Sequence, residues 1–433
     1  MLQFAVMRFR FLTILLLFTS LLYVAPDSHR LDWSNSPRMP EIGAVDARAA
    51  VLLDVETNTV LYAHNRDEII PPASIIKLVS MYVLLEAVEQ GMFELHQDVP
   101  IPTQAWAVNA PPRSSLMFLG PGQRASLHEL LLGLAIPSGN DASVAAALLM
   151  DDSMDAFVAR LNSTLQEMGL RNTVVVEPSG YSRDNATTAD ELARFSRQYL
   201  LRFPEAVERY HSVRSFAYPQ AGNVLVGNSE QAIIQQNYNR LLWLMPDADG
   251  LKTGTIPSVG YNLAATATRN GRRLLAIVLG VEGENSWHGN QRRAEVARDL
   301  LEYGFREYTA VHPQLPEAGV VRSYGTTQRE IPLFIDAPWA DSGSQPLMLP
   351  AGLPGRIQAR LEVTRRMSGP LPAEYQVGRL VFYDGEQELF SAPVRTTAGA
   401  EQGAWWRRAL DWLLLLWERI QGQEFPGTAA AGA

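Results

Sequence analysis

Residues 71–77 read Pro71-Pro72-Ala73-Ser74-Ile75-Ile76-Lys77, and a dense apolar run follows at 78–85. The prolines suit the start of a helix, and the apolar run predicts that this helix is buried. Ser74 is expected in its first turn, on the same face as Lys77 three residues later. A serine hydroxyl becomes a nucleophile when a base takes its proton, and a buried lysine amine can be that base. The stretch therefore predicts a catalytic serine–lysine pair, with backbone N–H groups of the helix start available to an oxyanion.

Lysine is almost absent from this chain. Of the 37 Lys and Arg residues, only Lys77 and Lys252 are lysines. An arginine guanidinium stays protonated in proteins, whereas a lysine amine can be neutralised by burial or by a second cation. The two lysines therefore indicate positions where an amine is required rather than a generic positive charge.

Three short motifs occur in a fixed order: Ser74-x-x-Lys77, then Ser138-x-Asn140, then Lys252-Thr253-Gly254. The first opens a predicted buried helix, the second lies in a tight connection between predicted helices, and the third lies on a predicted strand. A glycine in such a strand lets another backbone, here a substrate, approach closely. Each motif alone is a weak signal, but their order and context together indicate acyl transfer through a serine nucleophile.

Strand patterns lie at both ends of the first 312 residues, with helix patterns between them. One hairpin is predicted within 46–64, and another within 261–281, where Asn270-Gly271 forms the turn. Ser126 and Glu129 fit a capping box at a helix start. Helices are predicted from Ser74 to near Gly91 and at 126–136, 142–150, 153–170, 187–202 and 291–307. Strands from both ends would pair into one antiparallel sheet flanked by helices, an α+β fold.

The composition changes from about residue 313. Proline and glycine recur, helical periodicity disappears, and short alternating strands appear, including a hairpin around Asp384-Gly385. We therefore predict a catalytic domain at 46–312 and a small all-β domain at 313–398. The second domain contains no obvious catalytic constellation, which is typical of a spacer or platform.

Segment 399–433 is predicted to be a linker followed by an amphipathic helix at 405–420. One broad face of that helix is apolar, with Trp405 and Trp412 at its borders, and charged residues lie opposite. Tryptophans beside such a face suit a helix in the headgroup region of a bilayer; a helix docked on the protein's own body is the alternative. The apolar face comprises Trp406, Ala409, Leu410, Leu413, Leu416, Trp417 and Ile420.

The N-terminus has the pattern of an export signal. Arg8 and Arg10 precede a mostly apolar run at 11–25, which is short for a helix that spans a bilayer. Ala25 could be the last residue removed, but Tyr23 is large for a cleavage site, so an uncleaved anchor remains an alternative. Both interpretations place the body, after a linker at 26–45, in the periplasm or on the outer face of the cytoplasmic membrane.

Composition excludes several classes of function. The chain has 433 residues, enough for two domains, and its net charge of −9 argues against nucleic acid as a partner. It contains no cysteine, which excludes disulfides, thiol nucleophiles and thiolate metal sites. Its seven histidines show no ligand spacing. We therefore predict no metal and no cofactor.

The ordered triplets are the signature of β-lactamases and penicillin-binding proteins. Around them the chain resembles the low-molecular-mass penicillin-binding proteins that are serine-type D-alanyl-D-alanine carboxypeptidases. The resemblance extends over about 45–420 and includes 115–122, 138–142 and 260–263. It implies a β-lactamase/transpeptidase-like catalytic domain that removes the terminal D-alanine from peptidoglycan stem pentapeptides. It also implies that β-lactam antibiotics bind as mimics of this substrate.

The resemblance also implies roles for the residues of the first two motifs. Ser74 would attack the carbonyl carbon between the two D-alanines and form an acyl-enzyme, with Lys77 as its base. Ser138 would relay a proton to the leaving nitrogen. Asn140 would hold the substrate amide and the Lys77 side chain.

The third motif is implied to bind the substrate's terminal carboxylate. Lys252 would attract it and help to keep Lys77 neutral, and Thr253 would donate a hydrogen bond. The backbone N–H groups of Ser74 and Thr255, which follows Gly254, would be the oxyanion donors. Arg293 is a second candidate for the carboxylate, with Arg292 beside it as a competing choice.

Two departures from the family pattern leave the deacylation rate and substrate preference open. Thr255 stands where the best-known carboxypeptidases of this type have a histidine, and Ser179-Gly180 replaces a histidine–glycine pair. Three rival functions remain: a class A-like β-lactamase, in which Glu177 would activate the deacylating water; a D-Ala-D-Ala endopeptidase; and a non-catalytic scaffold that binds wall peptide.

Overall fold

The computed structural model describes residues 30–224, 231–340, 345–421 and 427–428. The predicted export segment and its cleavage site lie outside the described residues. The strands and helices have the following bounds. The strands are β1 (Ala49–Asp54), β2 (Thr59–His64), β3 (Asp98–Pro100), β4 (Arg124–Ser126), β5 (Ser215–Tyr218), β6 (Ile233–Gln236), β7 (Ala248–Ile256), β8 (Gly260–Arg269), β9 (Arg272–Val281), β10 (Tyr308–Val311), β11 (Val320–Tyr324), β12 (Glu330–Ile335), β13 (Leu347–Pro350), β14 (Ile357–Val363), β15 (Arg366–Ser368), β16 (Gln376–Asp384), β17 (Gln387–Thr396) and β18 (Gly427–Thr428). The α-helices are α1 (Lys77–Glu89), α2 (Leu127–Ala135), α3 (Asn140–Met150), α4 (Met154–Glu167), α5 (Ala189–Arg202), α6 (Leu241–Leu244), α7 (Ser286–Glu307) and α8 (Trp405–Ile420).

A five-stranded antiparallel sheet joins the two ends of the catalytic region, in the order β2-β1-β9-β8-β7. The prediction that strands from both ends form one sheet is therefore confirmed. β8 and β9 are connected by the expected Asn270-Gly271 turn, and both residues have positive φ, 52° and 78°. Asparagine and glycine tolerate this conformation best, which explains why they mark the turn.

The sheet is buried on both faces because a separate core covers each of them, and successive side chains of a strand enter opposite cores. On β1, Val51 and Leu53 pack in the core formed with helices α1 to α5. Ala50 and Leu52 belong to a second core that includes α7 and strands of the all-β region. The sheet is thus the middle layer of an α+β sandwich, as predicted.

Two helices begin earlier than predicted. α3 starts at Asn140 rather than at 142, so the second motif lies at the start of a helix. α7 starts at Ser286 rather than at 291, because the side chain of Asn285 caps it by accepting a hydrogen bond from the N–H of His288 at 2.9 Å. The predicted capping box is confirmed: Ser126 and Glu129 bond each other's backbone N–H groups at the start of α2.

The residues after about 313 form the predicted small all-β region. Its main sheet has the order β14-β16-β17-β12-β11-β15-β18, and β16 and β17 are the hairpin expected around Asp384-Gly385. The helix predicted at its C-terminal side is α8, with the expected bounds. Among the described residues, none of the helices combines the length and the apolar character needed to cross a bilayer.

Asn262 on β8 fixes the chain that leads to Ser74. Its buried side chain donates to the carbonyl of Pro71 at 3.0 Å and accepts from the N–H of Gly280 at 2.8 Å. The segment that precedes the first motif is therefore attached to the central sheet by a side-chain hydrogen bond.

We expect Asn262→Ala to lower the free energy of unfolding by about 1–3 kcal/mol, because it leaves two partly buried backbone groups without their side-chain partner. Urea denaturation followed by circular dichroism measures this change. Asn172→Ala, at an exposed asparagine, is the matched control and should have little effect. Equal stability of the Asn262 and Asn172 variants would contradict the attachment.

Candidate active site

Ser74 lies in a 3-10 turn, Ala73–Ile76, that leads into α1. The sequence had predicted it in the first turn of the α-helix itself, so this placement is a correction. Ala73, directly before it, has a φ of +53°, outside the helical region. The α-helix begins after this turn, at Lys77.

Two glycines allow neighbouring backbone to approach this turn. A Cβ atom on Gly180 would lie 2.1 Å from the carbonyl oxygen of Ala73, and one on Gly254 would lie 2.5 Å from that of Pro72. No side chain fits at such distances, so both positions require glycine. The sequence had explained Gly254 by the approach of substrate; in the structure the closely approaching backbone is that of the serine turn.

Lys77 is fully buried beside Ser74. Its Nζ lies 2.9 Å from Ser74 Oγ and 2.8 Å from Asn140 Oδ1, and it also contacts the carbonyl oxygen of Ser179. Burial lowers the pKa of Lys77 to about 7, although the negative charges of Glu177 and Asp141 act in the opposite direction. A substantial fraction of the amine is therefore neutral near pH 7.

The contacts of Lys77 also orient its lone pair. A neutral amine has two N–H bonds and one lone pair, and the oxygens of Asn140 and Ser179 are acceptors only. If the two N–H bonds point at these oxygens, the lone pair faces the hydroxyl of Ser74. This geometry is the one in which the amine can remove the serine proton.

The second motif brings a hydroxyl and an amide to the same site. Ser138 has a φ of +59° and is buried, and within the described ranges its Oγ has no hydrogen-bond partner. Asn140 donates from Nδ2 to Ser114 Oγ at 3.1 Å while its Oδ1 contacts Lys77. Buried hydroxyls normally find a partner, so an unpaired one in a strained backbone conformation indicates a functional position.

Asp141 holds the segment that faces the second motif. Its carboxylate accepts hydrogen bonds from the backbone N–H groups of Met117, Phe118 and Leu119 at 2.8–3.0 Å. Burial nevertheless raises the pKa of Asp141 above its ordinary value. The motif is thus braced from both sides, by α3 and by residues 114–119.

The third motif is on β7, and its lysine is also buried. Burial, together with the positive charges of Lys77 and Arg293, holds the pKa of Lys252 well below its ordinary value. Its Nζ contacts the carbonyl oxygen of Thr253 at 3.2 Å. Gly254, two residues later on β7, packs against the turn that carries Ser74, so the third motif adjoins the serine–lysine pair.

Arg293 rather than Arg292 reaches this motif. Its guanidinium donates to the carbonyl oxygen of Gly254 at 2.9 Å and to Thr255 Oγ1 at 3.0 Å. Arg292 is partly exposed and pairs with Asp46. Of the two candidates that the sequence left open, geometry therefore favours Arg293.

The structure brings part of the sequence-predicted set into direct contact, whereas within the described ranges Ser138 Oγ makes no hydrogen bond and Lys252 Nζ bonds the carbonyl oxygen of Thr253. Ser74, Lys77 and Asn140 are connected by direct contacts, and Gly254 packs against the turn that carries Ser74. Sequence reasoning missed the hydroxyl of Ser114 and the carbonyl oxygen of Ser179. A backbone carbonyl carries no side-chain signal, so only its neighbour Gly180 could have pointed to it.

Comparisons with known proteins identify the family of this chain. The family model described as D-alanyl-D-alanine carboxypeptidase matches residues 34–283, more than half of the chain. D-alanyl-D-alanine carboxypeptidase DacC of Escherichia coli is 30% identical over 392 residues, which cover 89% of this chain and 92% of the relative. DacA of the same species is 33% identical over 290 residues, 66% of this chain and 67% of the relative.

Solved structures support the same assignment. Penicillin binding protein 5 of Haemophilus influenzae superimposes with a TM-score of 0.69 at 27% identity, covering 84% of this chain and all of that one. Penicillin binding protein 6B of Escherichia coli gives a TM-score of 0.63 at 29% identity, covering 83% and 98%. The chain therefore belongs to the D-alanyl-D-alanine carboxypeptidase family, and it is a serine peptidase of the penicillin-binding type.

Proposed function

We propose that this carboxypeptidase removes the terminal D-alanine from peptidoglycan stem pentapeptides, with Ser74 as the nucleophile and Lys77 as its base. The observation that supports this most strongly is the contact of a buried, readily neutralised amine with the Ser74 hydroxyl at 2.9 Å. A serine adjacent to a competent base is the arrangement that covalent acyl transfer requires.

In the proposed first step, Ser74 Oγ bonds to the carbonyl carbon of the scissile D-Ala-D-Ala amide and its proton passes to Lys77 Nζ. The carbonyl oxygen becomes an oxyanion, which the backbone N–H groups of Ser74 and Thr255 stabilise. The carbon–nitrogen bond then breaks, and Ser138 relays a proton to the departing nitrogen. D-alanine leaves, and water later hydrolyses the acyl-enzyme on Ser74.

The terminal carboxylate of the substrate would bind at β7. Lys252 and Arg293 supply positive charge there, and Thr253 supplies a hydroxyl donor. Burial lowers the pKa of both cations, and a bound carboxylate would offset that effect. Requiring a free carboxylate at this position is the property that distinguishes a carboxypeptidase from an endopeptidase. The same interactions would draw in a β-lactam, which would acylate Ser74.

A β-lactamase interpretation would need Glu177 to activate water. Both of its carboxylate oxygens are already occupied: Oε2 accepts from the N–H and the hydroxyl of Ser179, and Oε1 accepts from the N–H of Ser182 and from Asn185. A carboxylate with four donors is a poor general base. This contact pattern favours the carboxypeptidase.

We further propose that α8 attaches the enzyme to the outer surface of the cytoplasmic membrane. The helix lies against the all-β region through its polar side: Asp411 is buried and accepts from Gly325 N at 2.8 Å and from Arg329 at 2.7 Å, and Glu418 pairs with Arg366. Its apolar face is exposed. This exposed face comprises Trp406, Leu410, Leu413, Leu416, Trp417 and Ile420.

The two interpretations of this helix, contact with a bilayer and docking on the protein's own body, are therefore compatible. It is docked on the protein's own body, but the docked side is the charged one, and the apolar side is left available to lipid. The division into a catalytic domain at 46–312, an all-β platform at 313–398 and a membrane-associating segment at 399–433 fits this arrangement. In it, the platform separates the active site from the bilayer.

Replacement of the nucleophile tests the first proposal. Ser74→Ala should lose both fluorescent-penicillin labelling and D-alanine release from a pentapeptide ending in D-Ala-D-Ala, by on the order of 10³-fold or more. Ser163→Ala, at an exposed serine on α4, should behave as wild type. Undiminished labelling of the Ser74 variant would show that another residue is acylated.

The pH dependence of acylation tests the role of Lys77. With a pKa of about 7, the base is protonated below that pH, so the acylation rate should rise through pH 7 to a plateau. At pH 6 it should be about one-tenth of the plateau. Stopped-flow acylation by a fluorescent penicillin between pH 5.5 and 8.5 measures this profile. A rate independent of pH over this range would exclude Lys77 as a base that titrates near neutrality.

Vesicle binding tests the membrane proposal. The double variant Leu413→Gln/Trp417→Gln should lower the partition coefficient onto phosphatidylethanolamine–phosphatidylglycerol vesicles by at least about tenfold, because it removes two large side chains from the apolar face. The matched control Trp287→Gln/Val320→Gln changes two exposed apolar residues outside α8 and should bind like wild type. Equal binding of both double variants would contradict the proposal.

A further inference from the structure

Glu177 organises the loop that faces the serine–lysine pair. Its carboxylate accepts four hydrogen bonds, all from residues 179–185. The donors are Ser179 N at 2.8 Å, Ser179 Oγ at 2.5 Å, Ser182 N at 3.0 Å and Asn185 Nδ2 at 2.8 Å. The half-buried side chain of Glu177 thus fixes both ends of a loop that has little regular secondary structure.

That loop presents one backbone carbonyl to the reacting groups. The oxygen of Ser179 contacts Lys77 Nζ and lies 3.2 Å from Ser74 Oγ. The following residue, Gly180, is pressed against the serine turn, so this peptide group has little room to rotate. The direction of the Ser179 carbonyl decides where one N–H of the Lys77 amine points, and therefore where the lone pair points.

We propose that Glu177 is a positioning residue for the reaction: by holding the Ser179 peptide, it directs the Lys77 lone pair at Ser74. This inference rests on the proposed role of Lys77 as the base. Glu177 acts through the Ser179 carbonyl and does not itself touch the reacting atoms.

Glu177 has a second, electrostatic effect on the same amine. The charges that act on Lys77 are those of Glu177 in the loop, Asp141 on α3 and Lys252 on β7. The two carboxylates raise the pKa of Lys77 against the larger lowering by burial. Burial acts to raise the pKa of Glu177 itself, but its hydrogen bonds and the charge of Lys77 outweigh this and keep it low. The carboxylate is therefore negative throughout the working pH range.

The test uses the full chain and its Glu177→Gln and Glu177→Asp variants, with Glu94→Gln, at an exposed glutamate, as the matched control. Acylation by a fluorescent penicillin and the subsequent loss of label are timed between pH 5 and 9. Gln has no charge and must turn its NH₂ group toward donors, so the plateau acylation rate of Glu177→Gln should fall about 10- to 100-fold. The acid limb of its pH–rate profile, where the acylation rate rises with pH, should move to lower pH, because a negative charge that favoured protonated Lys77 is gone.

Glu177→Asp keeps the charge but shortens the reach, so it should lose rate while its acid limb stays nearer to that of wild type. Glu94→Gln should match wild type in both respects. Two results with Glu177→Gln would overturn the proposal. Unchanged acylation with slower loss of label would make Glu177 a base in deacylation. A lower melting temperature, with the acid side of the pH–rate profile at the wild-type position, would make Glu177 merely structural. A wild-type profile without any acid limb near pH 7 would instead refute the role of Lys77 on which the inference rests.

Discussion

A lysine amine buried against a serine hydroxyl is the interaction on which the rest of this structure depends. Keeping Lys77 charged away from water would cost several kcal/mol, and the amine responds by releasing its proton near pH 7. The two carbonyl-type oxygens around it, from Asn140 and Ser179, can bond a neutral amine without supplying a full negative charge. The nearby carboxylates of Asp141 and Glu177 only moderate the effect of burial. In the proposed mechanism, the site thus makes a base from a side chain that is normally an acid.

The fold supplies the burial and the close approach that this chemistry needs. The central sheet brings β7 from late in the chain beside the turn that carries Ser74, and Asn262 attaches the preceding segment to β8. Gly180 and Gly254 let backbone from two sides close over that turn. The same sheet separates the core of α1 to α5 from the core shared with α7 and the all-β region. The central sheet therefore both positions the catalytic residues and separates the two hydrophobic cores.

Much of this arrangement could be predicted from the sequence because its signals are carried by side chains. The two lysines, the three motifs, the Asn270-Gly271 turn and the Ser126 capping box each have a local chemical reason to be where they are. Other features on which the proposed mechanism depends leave no such signal in the sequence. The Ser179 carbonyl is backbone, and the 3-10 turn that carries Ser74 begins at Ala73, whose positive φ is an unusual conformation for alanine. Likewise, the hydrophobic pattern of α8 revealed an apolar face but not that Asp411 and Glu418 would hold its polar side against the platform.

The chain's two lysines make its central claim directly measurable. Protein labelled with ¹³C at the lysine Cε positions should give only two lysine signals, and Lys252→Arg assigns them. Following both signals by NMR from pH 5 to 11 reports the protonation of each amine. The account predicts that Lys77 titrates near pH 7 and that Lys252 also titrates well below its ordinary value. Two signals that both titrate near pH 10.5, the ordinary lysine value, would contradict it, because Lys77 would then be a cation at every pH at which the enzyme works.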